Sequence, residues 1–171
     1  MYHTINKTWN QKLNRGWKQE LNTRDIDEIL SNNKYTQKAY MGCFPSNGLP
    51  KCFKYPCSMV VNFDDSSKPG THWVAIYAPN SLEASYFDSF GGGESKIGPI
   101  IEYLNKNFNL VTNRTKVVQS PLSTVCGYYA IFFIYLSNKG FSFKRIERLL
   151  ANERNPDKMV YEYVNKKIRL R

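Results

Sequence analysis

Residues 126–138 read Cys126-Gly-Tyr-Tyr-Ala-Ile-Phe-Phe-Ile-Tyr-Leu-Ser-Asn138. From Tyr128 to Leu136 every side chain is aromatic or aliphatic, so a helix over this stretch has no polar face. Such a helix is stable only when covered on all sides. Nine residues fall far short of the ~20 that a membrane span needs. The cover is therefore expected to be protein, and Gly140 is a natural C-terminal stop. This stretch makes the fold one built around a buried central helix.

Upstream the signals are those of strands. Cys57–Phe63 is mostly apolar and β-branched, and 64–70 is turn material. His72–Ala78 (HWVAIYA) is continuously apolar after its first residue, as in a central strand. Pro79-Asn80-Ser81 turns the chain into Ala84–Asp88 (ASYFD), which ends at Gly91-Gly92-Gly93. Arg114–Gln119 reads as a further strand, and 42–57, dense in Gly, Pro, Ser and Asn, reads as loop.

Helices are expected from Asn22 or Thr23, over Ile97–Phe108, over Phe143–Leu150, and from Asn155 with Pro156 at the first helical position. Residues 1–21 read as a basic N-terminal arm on a single domain spanning 1–171. The sum is α+β: a small mixed sheet packed around a buried helix, with flanking helices outside.

The composition is globular, with 42% apolar and 15% aromatic residues, which excludes a disordered chain. A chain of 171 residues buries a core without staples. No apolar signal core opens the sequence, so a reducing compartment is expected. There Cys43, Cys52, Cys57 and Cys126 are all expected as free thiols. A zinc site is weakly signalled, because no C-x-x-C pair occurs.

Net charge is +10, and Lys139–Arg171 holds ten Lys/Arg against four Asp/Glu. Basic ends attract polyanions, nucleic acid first; they serve solubility equally well.

Four residues carry candidate chemistry. Cys126 opens the buried helix, where the macrodipole favours a thiolate, the nucleophilic form. Alone it reads as readily as a small apolar residue opening a core helix. Gly127 leaves room for an approaching carbonyl. His72, at a strand start, could take the thiol proton and return it to a leaving group; it could also be an ordinary strand-end histidine.

Asp88 ends the next strand, and an antiparallel hairpin makes it the neighbour of His72, where a carboxylate fixes the imidazole tautomer. A plain loop Asp is the bland alternative. Gln119, seven residues before Cys126, could donate to an oxyanion with the Cys126 N–H. Its weight lies in the pattern.

In order, His72–Asp88–Gln119–Cys126 resembles the adenovirus maturation protease family (adenain, with virophage and Polinton-type proteases). That family shares a clan with the ubiquitin-like protein proteases. The matching stretches are Gly70-Thr-His-Trp-Val, Tyr86-Phe-Asp-Ser-Phe-Gly91 and Gln119-Ser-Pro-Leu-Ser-Thr-Val-Cys-Gly127, the last fitting Q-x-P-x-S-x-x-C-G. Met41-Gly-Cys-Phe and Gly48-Leu-Pro resemble a loop near the family's N-terminus.

The resemblance implies a cysteine endopeptidase: Cys126 nucleophile, His72 base and acid, Asp88 orienter, Gln119 oxyanion donor. It implies capsid or virion precursor proteins as substrates and no cofactor for the chemistry. It implies activation by DNA or a capsid-derived peptide, with DNA held at the basic termini. A monomer without a membrane partner is expected, in the virion and in the host cytoplasm or nucleus during assembly, not secreted. Trp73 follows the histidine in the family too, where its ring could meet the imidazolium.

The chain departs from the adenovirus pattern in having Asp88 where those enzymes usually have Glu. Val125 stands where the ubiquitin-like-protease branch usually has Asp. No cysteine falls in Asn105–Val118 to hold an activating peptide. The rivals are a deconjugating isopeptidase with the same four residues and a non-catalytic basic nucleic-acid-binding protein.

Overall fold

The computed structural model describes residues 20–68, 70–91, 98–113 and 116–169. Helix α1 (Thr23–Asn32) opens at Asn22, whose side chain accepts from the Asp25 N–H while Asp25 Oδ2 accepts from the Asn22 N–H, 3.0 Å each. This reciprocal cap satisfies two otherwise orphaned donors. Strands β1 (Tyr40–Pro45), β2 (Cys57–Asn62), β3 (Trp73–Ala78) and β4 (Glu83–Phe87) follow, then α2 (Gly98–Asn107) and β5 (Leu110–Asn113). Helices α3 (Cys126–Asn138), α4 (Phe143–Ala151) and α5 (Pro156–Tyr163) complete the order, with Val164–Ile168 continuing α5 as a wider π-helical turn.

The sheet order is β1-β2-β3-β4-β5. The two central pairings are antiparallel and the two outer ones parallel. The fold is thus α+β with a mixed five-stranded sheet.

Both faces of the sheet are buried, which explains the unbroken apolar run in β3. Val74, Ile76 and Ala78 meet Met59, Val61 and Tyr86, and beyond them Ile100 and Leu104 of α2. Ala75, Val60 and Phe87 face α3. From Cys126 to Ser137 every residue of α3 is buried, because the sheet lies on one side and α1, α4 and α5 cover the others. Phe87 of β4 stacks on Phe133 of α3 with centroids 4.8 Å apart and planes 8° from parallel. Leu21 is buried in this core as well; residues 1–19 of the expected arm lie outside the described residues.

Three readings need correction. The 42–57 loop begins with a strand: β1 pairs parallel to β2, with a register break between Tyr40 and Cys43 where Gly42 takes φ +130°. Its Gly and Pro mimic a loop, and its partner lies across a connection that only the fold brings back.

The expected strand at Arg114–Gln119 is not where β5 lies. The strand is Leu110–Asn113, parallel to β4. Val118 and Gln119 instead donate their N–H groups to the Ser89 carbonyl at 2.9 and 3.0 Å.

Nor are all four cysteines free. Cys52 and Cys57 form a disulfide, while Cys43 and Cys126 are free. The loop between them doubles back so that their Cα atoms stand 6.4 Å apart, within ordinary bridging reach. An argument from compartment does not see that geometry.

Candidate active site

The β2–β3–β4 ladder assembles one end of the site. The last register pair of β2–β3 is Asn62 with Trp73, and the Phe63 N–H donates to the His72 carbonyl at 2.9 Å. His72 is thereby fixed at the entrance to β3. Gly70, just before it, takes φ +81°, with its missing side chain replaced by the Asn62 amide: a Cβ there would lie 2.2 Å from Asn62 Nδ2. Across the sheet β3 pairs with β4 through Ala75–Phe87, and Asp88 follows directly.

His72 Nε2 donates to Asp88 Oδ1 at 2.7 Å. The same oxygen accepts the Phe90 N–H at 2.8 Å. Asp88 is buried, with 2% exposure, so this carboxylate is shielded from water. Two aromatic rings lie near the imidazole, Phe90 at 4.9 Å and Phe63 at 5.8 Å between centroids. Burial works against a charged imidazole, but hydrogen bonding and negative charge from Asp88 and Cys126 outweigh it and push its pKa up to about 9. Nδ1 is buried and makes no hydrogen bond of standard geometry. With Nε2 held by Asp88, Nδ1 is the nitrogen left to the Cys126 thiol.

Cys126 is the first residue of α3, 8% exposed. Its N-cap, Val125, supplies no side-chain cap, so the leading N–H groups of the helix are not quenched from that side. The other free thiol is Cys43. Cys43 is pushed up by burial and by the Asp27 carboxylate beside it, against a hydrogen bond with Tyr40 that lowers it. Its Sγ lies 3.2 Å from Tyr40 Oη, whose hydroxyl donates to Asp27 at 2.7 Å. Among the described residues no group of His, Cys, Asp and Glu is arranged to hold a metal ion.

Gln119 is buried and doubly held. Its Oε1 accepts from Ser89 Oγ at 2.6 Å, and its Nε2 donates to the Ser123 carbonyl at 2.9 Å. One amide hydrogen is committed to Ser123, and the second is the one an oxyanion could use.

Two neighbouring residues pack against the start of α1. Trp73 donates Nε1–H to the Leu21 carbonyl at 3.0 Å, anchoring the start of α1 to β3. Gly127 is needed by the core: a Cβ there would meet Leu21 Cβ at 3.2 Å, with Ile26 and Trp73 each at 3.4 Å. The absent side chain is thus accounted for by core packing on that side. The sequence reading also missed Phe63 and Phe90 as partners of His72. The signal available was the F-x₈-H and H-x₁₇-F spacing of a three-strand meander, which is weak by itself. A groove lined by Leu21, Thr23, Asn62, Gly70 and Trp73 opens beside the His72 end of β3.

With this geometry in view, the chain can be set against known proteins. No protein-family model matches it. It is 31% identical over 99 residues to the cysteine protease S273R of African swine fever virus, an alignment covering 49% of this chain and 36% of that protein. The chain thus spans about a third of the curated relative it matches.

The crystal structure of that protease superposes with a TM-score of 0.48 at 25% identity, over 67% of this chain and 45% of the other. The central domain of the uncharacterized Lpg1148 protein of Legionella pneumophila shares the fold, with a TM-score of 0.51 at 14% identity over 90% and 99% of the two chains. The SUMO protease Ulp1 gives 0.30 at 15% identity over 64% and 54%.

Proposed function

We propose that the protein is a cysteine endopeptidase with Cys126 as nucleophile, His72 as general base and acid, Asp88 as orienting carboxylate and Gln119 as oxyanion donor. One observation carries the reading. Asp88 takes Nε2 of a buried, positively biased imidazole and leaves Nδ1 for the thiol that opens the central helix. The similarity to a viral cysteine protease supports it.

In this mechanism the Cys126 sulfur, its proton held by His72, attacks the scissile carbonyl carbon. The carbonyl π electrons move to oxygen, which the Cys126 N–H and the free hydrogen of the Gln119 amide receive. Such preorganised donors are worth about 10²–10³ each in turnover. Collapse of the intermediate expels the amine, protonated by the imidazolium, and leaves a thioester. Water then attacks the thioester, giving its proton to His72, and the acid departs as the thiol reforms. Asp88 holds the imidazole through both halves.

The substrates we assign are capsid or virion precursor proteins, cut during maturation of a virus or virophage-type element. The motif Gln119–Gly127 and the viral origin of the relative support this assignment. DNA at the basic termini is assigned as activator or scaffold on the charge distribution.

The test is incubation of the purified protein with candidate precursor peptides and with a ubiquitin-like C-terminal probe, with and without duplex DNA. Cleavage of precursor peptides, lost in Cys126→Ala, upholds the reading. Turnover of the ubiquitin-like probe alone makes the protein an isopeptidase. DNA binding without hydrolysis or thiol reactivity removes the enzymatic reading.

A further inference from the structure

Asp157 is a carboxylate that the mechanism above does not use. It lies in the first turn of α5 and is 94% buried, its exposure being 6%. Its hydrogen-bond partners are the segment that delivers Gln119 to the site and Tyr129 of the central helix. The Ser120 N–H points at it, 3.4 Å from Oδ1 and 3.3 Å from Oδ2. Tyr129 Oη, from the first turn of α3, donates to Oδ1 at 2.8 Å and also lies 3.2 Å from the Val118 carbonyl. Burial pushes the carboxyl up, while hydrogen bonds from Tyr129, Ser123 and Ser120 pull it down.

The segment held in this way is short and closed on itself. The Ser123 N–H donates to the Ser120 carbonyl at 3.0 Å, and the Ser123 hydroxyl oxygen lies 3.1 Å from the same carbonyl. The Ser123 carbonyl in turn accepts from the Gln119 amide nitrogen at 2.9 Å. A 120–123 turn that shifts therefore rotates the amide. On its other side the amide oxygen is fixed by Ser89, the residue after Asp88. The donor is thus clamped between the Asp88 loop and a turn anchored by Asp157.

We propose that Asp157, with Tyr129, is a positioning residue for the oxyanion donor: it anchors the Ser120–Ser123 turn whose carbonyl orients the Gln119 amide. The inference rests on the peptidase reading above and deepens it. It separates two halves of the site, since Asp157 acts on oxyanion stabilisation while His72 and Asp88 act on the thiol. A purely structural acid, pinning α5 to α3, would affect both halves alike.

That difference is the test. Turnover of a cleavable peptide needs the oxyanion site, whereas alkylation of Cys126 by iodoacetamide displaces iodide at a saturated carbon and needs none. Asp157→Ala is expected to lower kcat about 10–10²-fold, a fraction of what a whole donor supplies. KM should stay within about threefold and the alkylation rate unchanged. Asp157→Asn, which can still accept from Ser120 and Tyr129, should recover most of the loss. In a Gln119→Ala background Asp157→Ala should cost little more, because the two act as one unit.

If Asp157→Ala does not fold, Tyr129→Phe reads the same arm and should lower kcat severalfold with alkylation preserved. A parallel fall of kcat and alkylation, full additivity with Gln119→Ala, or unchanged kcat overturns the inference. Absence of turnover in the wild type overturns the peptidase reading, and this one with it. Wild-type turnover with an unaffected Asp157→Ala overturns this one alone.

Discussion

Asp88 Oδ1 accepts two hydrogen bonds at once, from His72 Nε2 at 2.7 Å and from the Phe90 N–H at 2.8 Å. The backbone donor dictates which atom faces the histidine. In Asp88→Asn the amide oxygen is the group that can satisfy Phe90, so it also remains the acceptor for Nε2–H. The tautomer with Nδ1 open to the thiol then survives, and only the negative charge is lost. Asp88→Asn should therefore lose about 10–10² in kcat, while Asp88→Ala, which frees the ring, should lose about 10²–10⁴, on the scale of general acid–base catalysis. Steady-state kinetics of the two variants check the order; equal losses would show that the charge alone matters.

The raised pKa of His72 makes stability depend on pH. Its folded value of about 9 lies above the ordinary 6.5, so the folded state holds the proton more tightly than the unfolded chain. This contribution is complete below about pH 6.5 and is lost as pH rises through about 9. Denaturant midpoints of wild type and His72→Gln, compared at pH 6 and pH 9.5, should differ more at the lower pH. A gap that widens on the alkaline side would contradict the assignment.

Gly70 combines a left-handed backbone with a missing side chain occupied by Asn62. Gly70→Ala should cost about 1–2 kcal/mol for the backbone alone, plus the displacement of the Asn62 amide. It should also lower turnover, because the strained turn leads straight into His72. Adding Asn62→Ala relieves the clash but not the backbone, so chemical denaturation of the double variant should show partial recovery. Full recovery would mean that the backbone there tolerates a Cβ.

The Cys52–Cys57 disulfide gives a count that mass spectrometry can read. Alkylation of the unfolded protein without reductant should label two cysteines, Cys43 and Cys126, and after reduction all four. Closing so short a loop contributes on the order of 2 kcal/mol in the chain-entropy model. Reduction should lower the denaturation midpoint accordingly. Four labels without reductant would show that the bridge does not form in solution.

Lys144, Arg145 and Arg148 of α4 and Lys158 of α5 are exposed, as an electrostatic contact with a polyanion requires. Affinity for duplex DNA should fall steeply between low and high salt. The double variant Lys144→Glu/Arg148→Glu should flatten the log–log slope by about 2, roughly one unit per phosphate contact. Fluorescence anisotropy across a salt series measures it; a salt-independent affinity would remove the charge argument for DNA.

Where structure is local, the sequence alone determined it. The buried helix runs over Cys126–Asn138, as its apolar stretch implies, and α5 starts from Asn155 with Pro156 first, because caps and periodicity are decided within a few residues. The β3–β4 hairpin is local too, and it carries His72 to Asp88. The tertiary structure decided what depends on distant partners. β1 is a strand only because β2 returns beside it. β5 pairs parallel to β4 just ahead of Arg114–Gln119, the stretch expected as the strand. The thiol pairing of Cys52 depends on a loop's path.

The same division runs through the site. Phe63 and Phe90 meet His72 from just past the ends of β2 and β4, and Gly127 answers to Leu21 more than a hundred residues away in the chain. Asp157 reaches the Gln119 loop from a helix whose own sequence gives no reason for a buried acid. Hydrogen bonds and packing act over a few ångströms in space and are blind to separation along the chain. Residue types and short spacings therefore named the chemical groups, and the fold alone set which atom of each faces which.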